Sequence, residues 1–481
     1  MSRALPAQGR RPDEVLAELR GFGAQDPDYR HGRLWSLVYW IDEDYERFLA
    51  EAYRMFSSAN GLNPGAFKSL KRLEGEIIGW VASLQHGDEQ VCGVVTSGGT
   101  ESCLLAAKTY RDLARKTRGV TRPQMVLPVT AHVAWFKAAE YFGIEPRLLP
   151  LDAQLRPDLT RLEPLINRHT VMILGSAPGY PHGGIDPIAE LGAVAQRHGI
   201  PLHVDACVGG FILPFMALNG IELPPWDYRV PGVCSISADV HKYGYAAKGA
   251  STITYRTLEL LKHQMFVHTD WPGGVFASPA LLGTRPGGAY AAAWAAMNYH
   301  GVAGYRALAR RTIEAFERLR DGVAAMPELR VLGQPSGPLL GYGARDPALA
   351  IYAVGDQMDA RGWSVNRLQS PEGLHAMVTA QHLGVVDAYL ADLKAAVAAA
   401  QADPALAGQG SAATYGMLAH VPLRGLVRQR VLDLFAAQYG PEGAPLDLHG
   451  GPQDAGGGLM AWVDRLALRY AQWRRRREPR G

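Results

Sequence analysis

The segment from residue 91 to residue 255 alternates short apolar runs with longer helical patterns, and this alternation constrains the fold more than any other feature. The apolar runs include "VCGVVTS", "QMVLPV", "VMILGSA", "PLHVDACVGG", "CSISADV" and "STITYR", and helical patterns such as "TESCLLAAKTYRDLARKT" and "IAELGAVAQRHG" lie between them. Short strands separated by helices are typical of a largely parallel sheet with helices on both faces. In such an α/β fold we expect functional loops at the carboxyl ends of the strands.

The rest of the chain predicts two flanking regions. Residues 1–62 show helical periodicity and form an N-terminal helical arm, and residues 63–305 form the large α/β domain. Residues 306–481 form a smaller C-terminal α+β domain that ends in a basic tail. Within it we expect a strand over residues 349–354 and an amphipathic helix over residues 375–401.

The composition excludes several classes of protein. With 47% hydrophobic and 20% charged residues among 481, the chain is typical of a globular protein with a large core. A formal charge of +3 is close to neutral and does not indicate a surface that binds nucleic acid. The arginine run at 474–477 is interpreted as a solvated tail. We expect no nucleic-acid partner.

Cysteine usage and hydropathy predict a cytoplasmic protein. The four cysteines, Cys92, Cys103, Cys207 and Cys234, lack the spacing of a zinc site, so we expect buried thiols in a reducing compartment and no metal. No apolar run is long enough for a signal peptide or a transmembrane segment.

A glycine turn follows the first of the strands. Ser97, Gly98, Gly99 and Thr100 lead directly into a helix. Backbone amides at a glycine turn and a helix N-terminus together attract an anion, so the turn is a candidate phosphate cradle. An ordinary capped glycine turn has the same sequence, and this motif alone leaves both interpretations open.

Three more polar side chains follow strands. His132 comes after "MVLPV" and is either a structural histidine or a ligand contact. Asp205 ends "HVD" in an apolar context, so it requires either a salt bridge or several donors, and a protonated heterocyclic nitrogen would also satisfy it. Lys242 lies in "SADVHKYGYAAKG", where desolvation is expected to lower its pKa and make it an amine nucleophile, although most lysines are surface residues.

The order of these groups is more informative than any one of them. A phosphate-type turn, an imidazole loop, a strand-end aspartate and then a lysine meet the needs of pyridoxal 5'-phosphate. That cofactor requires an anion cradle, a stacking group, a carboxylate for its ring nitrogen and a lysine for its aldehyde.

Several blocks resemble the sphingosine-1-phosphate lyases, in the group II decarboxylase branch of fold-type I pyridoxal phosphate enzymes. The blocks are "VTSGGTES", "HVDACVGGF", "SISADVHKYGYAAKG", "GTRPGG" and "YGM", preceded by "GRLWSLVYW" and "LNPGAFKSLKRLEGEI". The resemblance runs from about residue 13 to about residue 440 and implies the fold-type I architecture and a homodimer with shared active sites.

The resemblance also implies roles for individual residues. Lys242 would bind the cofactor aldehyde, Asp205 would partner the ring nitrogen and His132 would stack on the ring. Gly99, Thr100 and His241 would hold the cofactor phosphate, together with Thr284 of the other subunit. The implied substrate-binding residues are Lys248, as ligand of the substrate's phosphate, and the possible pocket residues Asn63, Tyr39 and Tyr415.

The implied reaction is the retro-aldol cleavage of a phosphorylated amino-alcohol lipid, such as sphingosine 1-phosphate, into a fatty aldehyde and phosphoethanolamine. Asn63 stands where the family commonly has a histidine in "N-P-L-H", and an amide can donate a hydrogen bond but cannot carry charge. The alternatives are an amino-acid decarboxylase with the same cofactor residues and a catalytically silent homologue that binds lipid phosphates.

Overall fold

The predicted alternation of strands and helices is present in the structure, a computed structural model that describes residues 5–24, 26–63, 65–412, 415 and 424–440. The strands are β1 (Cys92–Thr96), β2 (Gln124–Pro128), β3 (Glu145–Leu149), β4 (Thr170–Ser176), β5 (Leu202–Asp205), β6 (Val233–Ala238), β7 (Ser251–Tyr255), β8 (Phe266–His268), β9 (Phe276–Ser278), β10 (Leu329–Val331), β11 (Leu339–Ala344), β12 (Asn366–Gln369) and β13 (Glu372–Met377). The α-helices are α1 (Pro12–Gly23), α2 (Glu43–Met55), α3 (Lys68–Leu84), α4 (Gly99–Arg118), α5 (Val133–Phe142), α6 (Ile188–His198), α7 (Leu213–Leu218), α8 (Leu258–Lys262), α9 (Gly287–Ala324), α10 (Ile351–Asp359), α11 (Val386–Ala402) and α12 (Arg424–Tyr439). The predicted basic tail at 474–477 lies outside the described residues.

The central sheet has seven strands in the order β1-β7-β6-β5-β4-β2-β3. The pairings of β2 with β3 and β4, of β4 with β5 and of β5 with β6 are parallel, whereas β7 is antiparallel to both β1 and β6. The prediction of a largely parallel sheet is therefore confirmed.

Alternate residues of the central strands enter different cores. Met125 and Leu127 of β2 pack in one buried cluster, and Val126 between them packs in another. In β4, Met172 and Leu174 pack in the first of these clusters and Ile173, between them, packs in the second. Since successive side chains of a strand point to opposite faces, both faces of the sheet are covered, which explains why these strands read as continuous apolar runs.

Strand direction determines where the polar residues gather. Strands β4, β5 and β6 are parallel, so Ser176, Asp205 and Ala238 end them at the same edge of the sheet. Because β7 is antiparallel to β6, it begins at that edge with Ser251, and the segment 239–250 forms a loop across it. The lysine-bearing block therefore lies beside the end of β5.

The described part of the N-terminal arm contains two helices that differ in burial. Helix α1 has no buried residues, and its Leu16 and Leu19 are exposed, whereas α2 buries Tyr45 and Leu49. Helix α2 packs against α9 and so joins the main core.

The C-terminal region has its own antiparallel sheet, in the order β10-β11-β13-β12. Its core includes Tyr342, Leu374 and Tyr389. The predicted division between residues 305 and 306 falls within α9, shortly after a kink at Gly301, and the domain division stays a prediction. None of the described helices, α9 included, is apolar enough over sufficient length to cross a bilayer.

Two secondary-structure predictions in this region are wrong. Residues 349–354 were expected to form a strand, but most of them belong to α10, because a fully apolar run fits a buried helix as well as a strand. The helix expected over residues 375–401 begins only at Val386, since residues up to Met377 pair with β11 in β13. Tertiary pairing outweighs the local helical pattern there.

Candidate active site

A cavity of about 620 Å³ opens at the carboxyl edge of the central sheet. Among the predicted site residues, its walls contain Tyr39, Gly99, Thr100, His132, Asp205, His241, Lys242 and Lys248. These positions come from five separate segments of the chain, and the sheet topology brings them together.

The glycine turn forms one wall of the cavity and begins α4. Glu101 accepts a hydrogen bond from the Ser97 amide at 2.7 Å, which fixes the turn. A Cβ atom on Gly99 would lie 2.8 Å from the Asp239 carboxylate oxygens and 2.8 Å from Cys207 Sγ. The first amides of a helix have no intrahelical acceptor, so the turn presents donors at a point where only glycine fits.

Asp205 is buried at the end of β5 and receives several hydrogen bonds. Trp135 Nε1 donates at 2.8 Å to one carboxylate oxygen, and the Cys207 amide donates at 3.1 Å to the other. Burial opposes ionisation, but His132 and these donors outweigh it and lower the pKa of Asp205 below its usual value. The expectation that this carboxylate needs several donors is confirmed, and it remains an anion facing the cavity.

Lys242 forms an ion pair that the sequence analysis did not predict. Its Nζ lies 3.0 Å from Asp239 Oδ2, and its side chain is 23% exposed. Burial acts to lower the pKa of Lys242, but Asp239 reverses the effect and raises it well above its ordinary value. The expected lowering is therefore wrong, because a carboxylate three residues earlier stabilises the ammonium.

Burial lowers the pKa of both histidines of the cavity. His132 caps α5, with its Nδ1 accepting a hydrogen bond from the Ala134 amide at 3.2 Å, and desolvation lowers its pKa. Burial also lowers the pKa of His241, and its Nδ1 makes no hydrogen bond to any residue that the structure describes. His241 thus has a buried ring nitrogen available for a ligand.

Lys248 lines the same cavity as Lys242. Its Nζ donates to the Leu37 carbonyl at 2.7 Å and lies 5.0 Å from the centre of the Tyr39 ring. Desolvation and repulsion from Lys242 lower the pKa of Lys248 to about 8. Tyr39 is itself fixed, because its hydroxyl lies 2.6 Å from Met377 Sδ and its ring packs edge-on against Tyr243.

Three predicted residues do not line this cavity. Asn63 caps its own turn by accepting hydrogen bonds from the Gly65 and Ala66 amides, and Thr284 is exposed and accepts a hydrogen bond from Asn60 at 3.2 Å. Tyr415 packs against Tyr352 in the C-terminal core, with ring centres 5.8 Å apart.

Several residues at the site were missed by the sequence analysis. Asp239 lies on the lysine loop, and its position three residues before Lys242 was the available signal. Trp135, three residues after His132, lies on the same side of α5. Tyr180 also lines the cavity, and its only signal was its place after strand β4.

The cysteines are less uniform than expected. Cys103 and Cys207 are buried beside Asp205, and Cys103 Sγ lies 3.7 Å from a carboxylate oxygen, whereas Cys92 and Cys234 are only half-buried. Burial raises the pKa of Cys103 to about 11, so its thiol stays protonated.

The residues present fit the expected cofactor. The glycine turn and the unpaired nitrogen of His241 suit a phosphate, the ionised Asp205 suits a protonated ring nitrogen, and Lys242 supplies an amine for an aldehyde.

Comparison with known proteins points the same way. Residues 69–342 match the pyridoxal-dependent decarboxylase conserved domain. A sphingosine-1-phosphate lyase of Arabidopsis thaliana is 44% identical over 402 residues, which is 82% of this chain and 74% of that protein. The chain belongs to the sphingosine-1-phosphate lyases, within the pyridoxal-dependent decarboxylase family.

Solved structures agree with this family assignment. A sphingosine-1-phosphate lyase from Burkholderia pseudomallei superposes with a TM-score of 0.82 at 38% identity, covering 90% of this chain and 97% of that one. A glutamate decarboxylase from Lactobacillus brevis has a TM-score of 0.74 at 20% identity, with coverage of 83% and 95%, and shares the fold. The fold-type I architecture and the pyridoxal phosphate cofactor follow from membership of this family.

Proposed function

We propose that this protein cleaves a phosphorylated sphingoid base into a fatty aldehyde and phosphoethanolamine. The observation that carries the proposal is the presence of two lysines in one cavity, one paired with a carboxylate and one without an ion pair among the described residues. Lys242 is neutralised by Asp239, while Lys248 contacts carbonyl and ring groups and so retains a cation for an anionic substrate.

Different residues of the chain have different proposed roles at the cofactor. When bound, pyridoxal phosphate supplies an electron sink for the Cα–Cβ bond that breaks. Lys242 would supply the amine for its aldehyde, Asp205, itself ionised, would favour a proton on its ring nitrogen, and His132 would contact its ring. Gly99, Thr100 and His241, which line the cavity at the start of α4, would hold its phosphate.

The substrate's phosphate is assigned to Lys248. A phosphate that approaches this cation forms a charge-assisted hydrogen bond, which is stronger than one between neutral groups. The cation is present below a pH of about 8 because its pKa is about 8. A phosphate in contact raises that pKa and secures the charge.

A neighbouring groove supports a substrate with an aliphatic chain. The groove has a volume of about 510 Å³ and shares Tyr39 and Lys248 with the cavity. Its walls include Trp40, Tyr45 and Leu49, whose apolar surfaces suit a hydrocarbon. An amino acid bound in the cavity has no chain to fill this groove.

We further propose that the protein is a homodimer with shared cavities. Thr284 hydrogen-bonds to Asn60, in the segment that leads to Asn63. Thr284 and Asn63, both predicted to lie at phosphate sites, are therefore near one another on the surface and outside their own chain's cavity. The β8–β9 hairpin exposes Phe266 and, in its turn, Trp271, apolar side chains of the kind that a subunit interface covers. The free thiols support a cytoplasmic location.

Aldehyde release tests the proposal. We expect the purified protein to release fatty aldehyde from sphingosine 1-phosphate and far less from unphosphorylated sphingosine. Carbon dioxide release from an amino acid, without aldehyde from either lipid, would identify a decarboxylase. A colourless protein that binds the phosphorylated lipid without turnover would indicate a silent homologue.

A further inference from the structure

Tyr180 lies between the catalytic cavity and the C-terminal sheet. It follows β4 on a loop and lines the cavity, where its ring makes an edge-on contact with His132 at a centre-to-centre distance of 6.1 Å. On its other side the ring packs on His375 of β13, with centres 4.5 Å apart and planes inclined by 33°. A loop residue is thus enclosed between the large domain's cavity and a strand of the smaller sheet.

Two residues of the C-terminal sheet hydrogen-bond to Tyr180. His375 Nε2 lies 2.9 Å from the Tyr180 carbonyl oxygen, and Asn366 Nδ2 donates to the phenol oxygen at 3.2 Å. Asn366 and His375 are direct partners in the register of β12 with β13. Cross-strand partners point to the same face, so a single step of the ladder holds both the backbone and the hydroxyl of Tyr180.

The direction of the Asn366 hydrogen bond determines what the phenol can do. Because the amide donates to the phenol oxygen, the phenol's own hydrogen is free to be donated elsewhere. The cavity is the space that Tyr180 lines, so a substrate hydroxyl or oxyanion there can accept that hydrogen. An aligned donor costs no reorganisation during the reaction.

We propose that Asn366 and His375 are positioning residues that hold the Tyr180 hydroxyl toward the reacting oxygen of the substrate. The inference rests on the proposed lyase function. Asn366 and His375 then contribute to the rate although neither of them lines the cavity.

The test begins with Asn366→Leu in the holoenzyme, which removes the donor at similar volume. We expect kcat for sphingosine 1-phosphate to fall about 10- to 100-fold with KM nearly unchanged. Asn366→Asp, which keeps the shape but cannot donate, should fall similarly. Gln369→Leu, an exposed substitution on the same strand, is the matched control and should match the unaltered enzyme.

A double-mutant cycle separates positioning from general damage. In a Tyr180→Phe background, which lacks the hydroxyl, Asn366→Leu should cause no further loss in kcat. His375→Gln, which retains a donor for the Tyr180 carbonyl, should keep more activity than His375→Leu. Additive losses in the cycle, or a change in KM alone, would overturn the proposal.

A second measurement does not depend on turnover. With tyrosine labelled at the ring carbon that bears the hydroxyl, the NMR signal missing in Tyr180→Phe identifies Tyr180. Asn366→Leu should shift that signal and leave the other tyrosine signals in place, and an unmoved signal would refute the contact. Absence of aldehyde release from the unaltered enzyme would instead count against the proposed lyase function.

Discussion

The two ends of the cavity are built in different ways. At the cofactor end, Gly99, Asp205 and Lys242 are fixed by contacts within the large domain, including the 2.8 Å bond from Trp135 and the 3.0 Å ion pair with Asp239. At the substrate end, Lys248 contacts a carbonyl and the Tyr39 ring, and Asn63 does not line the cavity of its own chain.

This difference indicates which parts of the chain determine cofactor binding and which determine substrate recognition. Apart from the proposed Thr284 of the other subunit, the cofactor end comes from one chain, because its residues follow neighbouring strands whose ends lie side by side. The substrate end draws on the N-terminal segment, the lysine loop and the C-terminal sheet. We therefore expect substitutions at the cofactor end to affect every substrate, and those at the substrate end to discriminate between phosphorylated and unphosphorylated lipids.

Lys242→Ala has the largest expected effect. Without an amine for the cofactor aldehyde, turnover of every substrate should fall at least about 1,000-fold, and the visible absorbance band of the bound cofactor should be lost. Lys262→Ala, at an exposed lysine of α8, is the control. A variant that kept both the band and aldehyde release would remove Lys242 from the cofactor end.

Asp205→Asn should have the next largest effect. The amide keeps the shape of the carboxylate but cannot hold a proton on a ring nitrogen by its charge, so kcat should fall on the order of 100-fold for all substrates alike. Cofactor content, measured by absorbance, should be reduced much less than kcat. Near-normal turnover would mean that Asp205 serves only to anchor Trp135.

Lys248→Ala should lower activity toward phosphorylated substrates more than activity toward unphosphorylated ones. Loss of the cation should lower kcat/KM for phosphorylated substrate about 10- to 100-fold while the cofactor band stays unchanged. Equal losses for phosphorylated and unphosphorylated lipids would assign Lys248 to structure.

The pH dependence of KM also tests the assignment of Lys248 to the substrate's phosphate. Lys248 loses its proton as pH rises through about 8, so KM for the phosphorylated substrate should increase above that pH. Lys248→Arg remains charged and should abolish this increase. A rise that persists in Lys248→Arg would point to another group.

Gly99→Ala should have the smallest effect of the series. A Cβ placed 2.8 Å from Asp239 and Cys207 forces local shifts, which cost about 1–3 kcal/mol and should weaken cofactor binding about tenfold. Gly79→Ala in α3, where a Cβ meets nothing within 4 Å, is the control and should retain normal affinity. Cofactor titration by absorbance or fluorescence measures both.

Local patterns predicted most of the large domain and the cofactor end. The strands and helices between residues 91 and 255 are apparent from apolar runs and breakers, although β3, with its partly exposed residues, was not predicted. The C-terminal region was less predictable, because its apolar runs fit helix and strand equally. Only pairing with β11 and β12 made residues 372–377 a strand.

The sequence by itself determined the order of the cofactor residues and the strands that carry them, since strand periodicity and turn chemistry are properties of neighbouring residues. Only the tertiary structure decided the charge of Lys242, the donors on Asp205 and the contact of Asn366 with Tyr180, which are 186 positions apart. Those features depend on the register and direction of strands, and contacts between distant residues leave no local pattern in the chain.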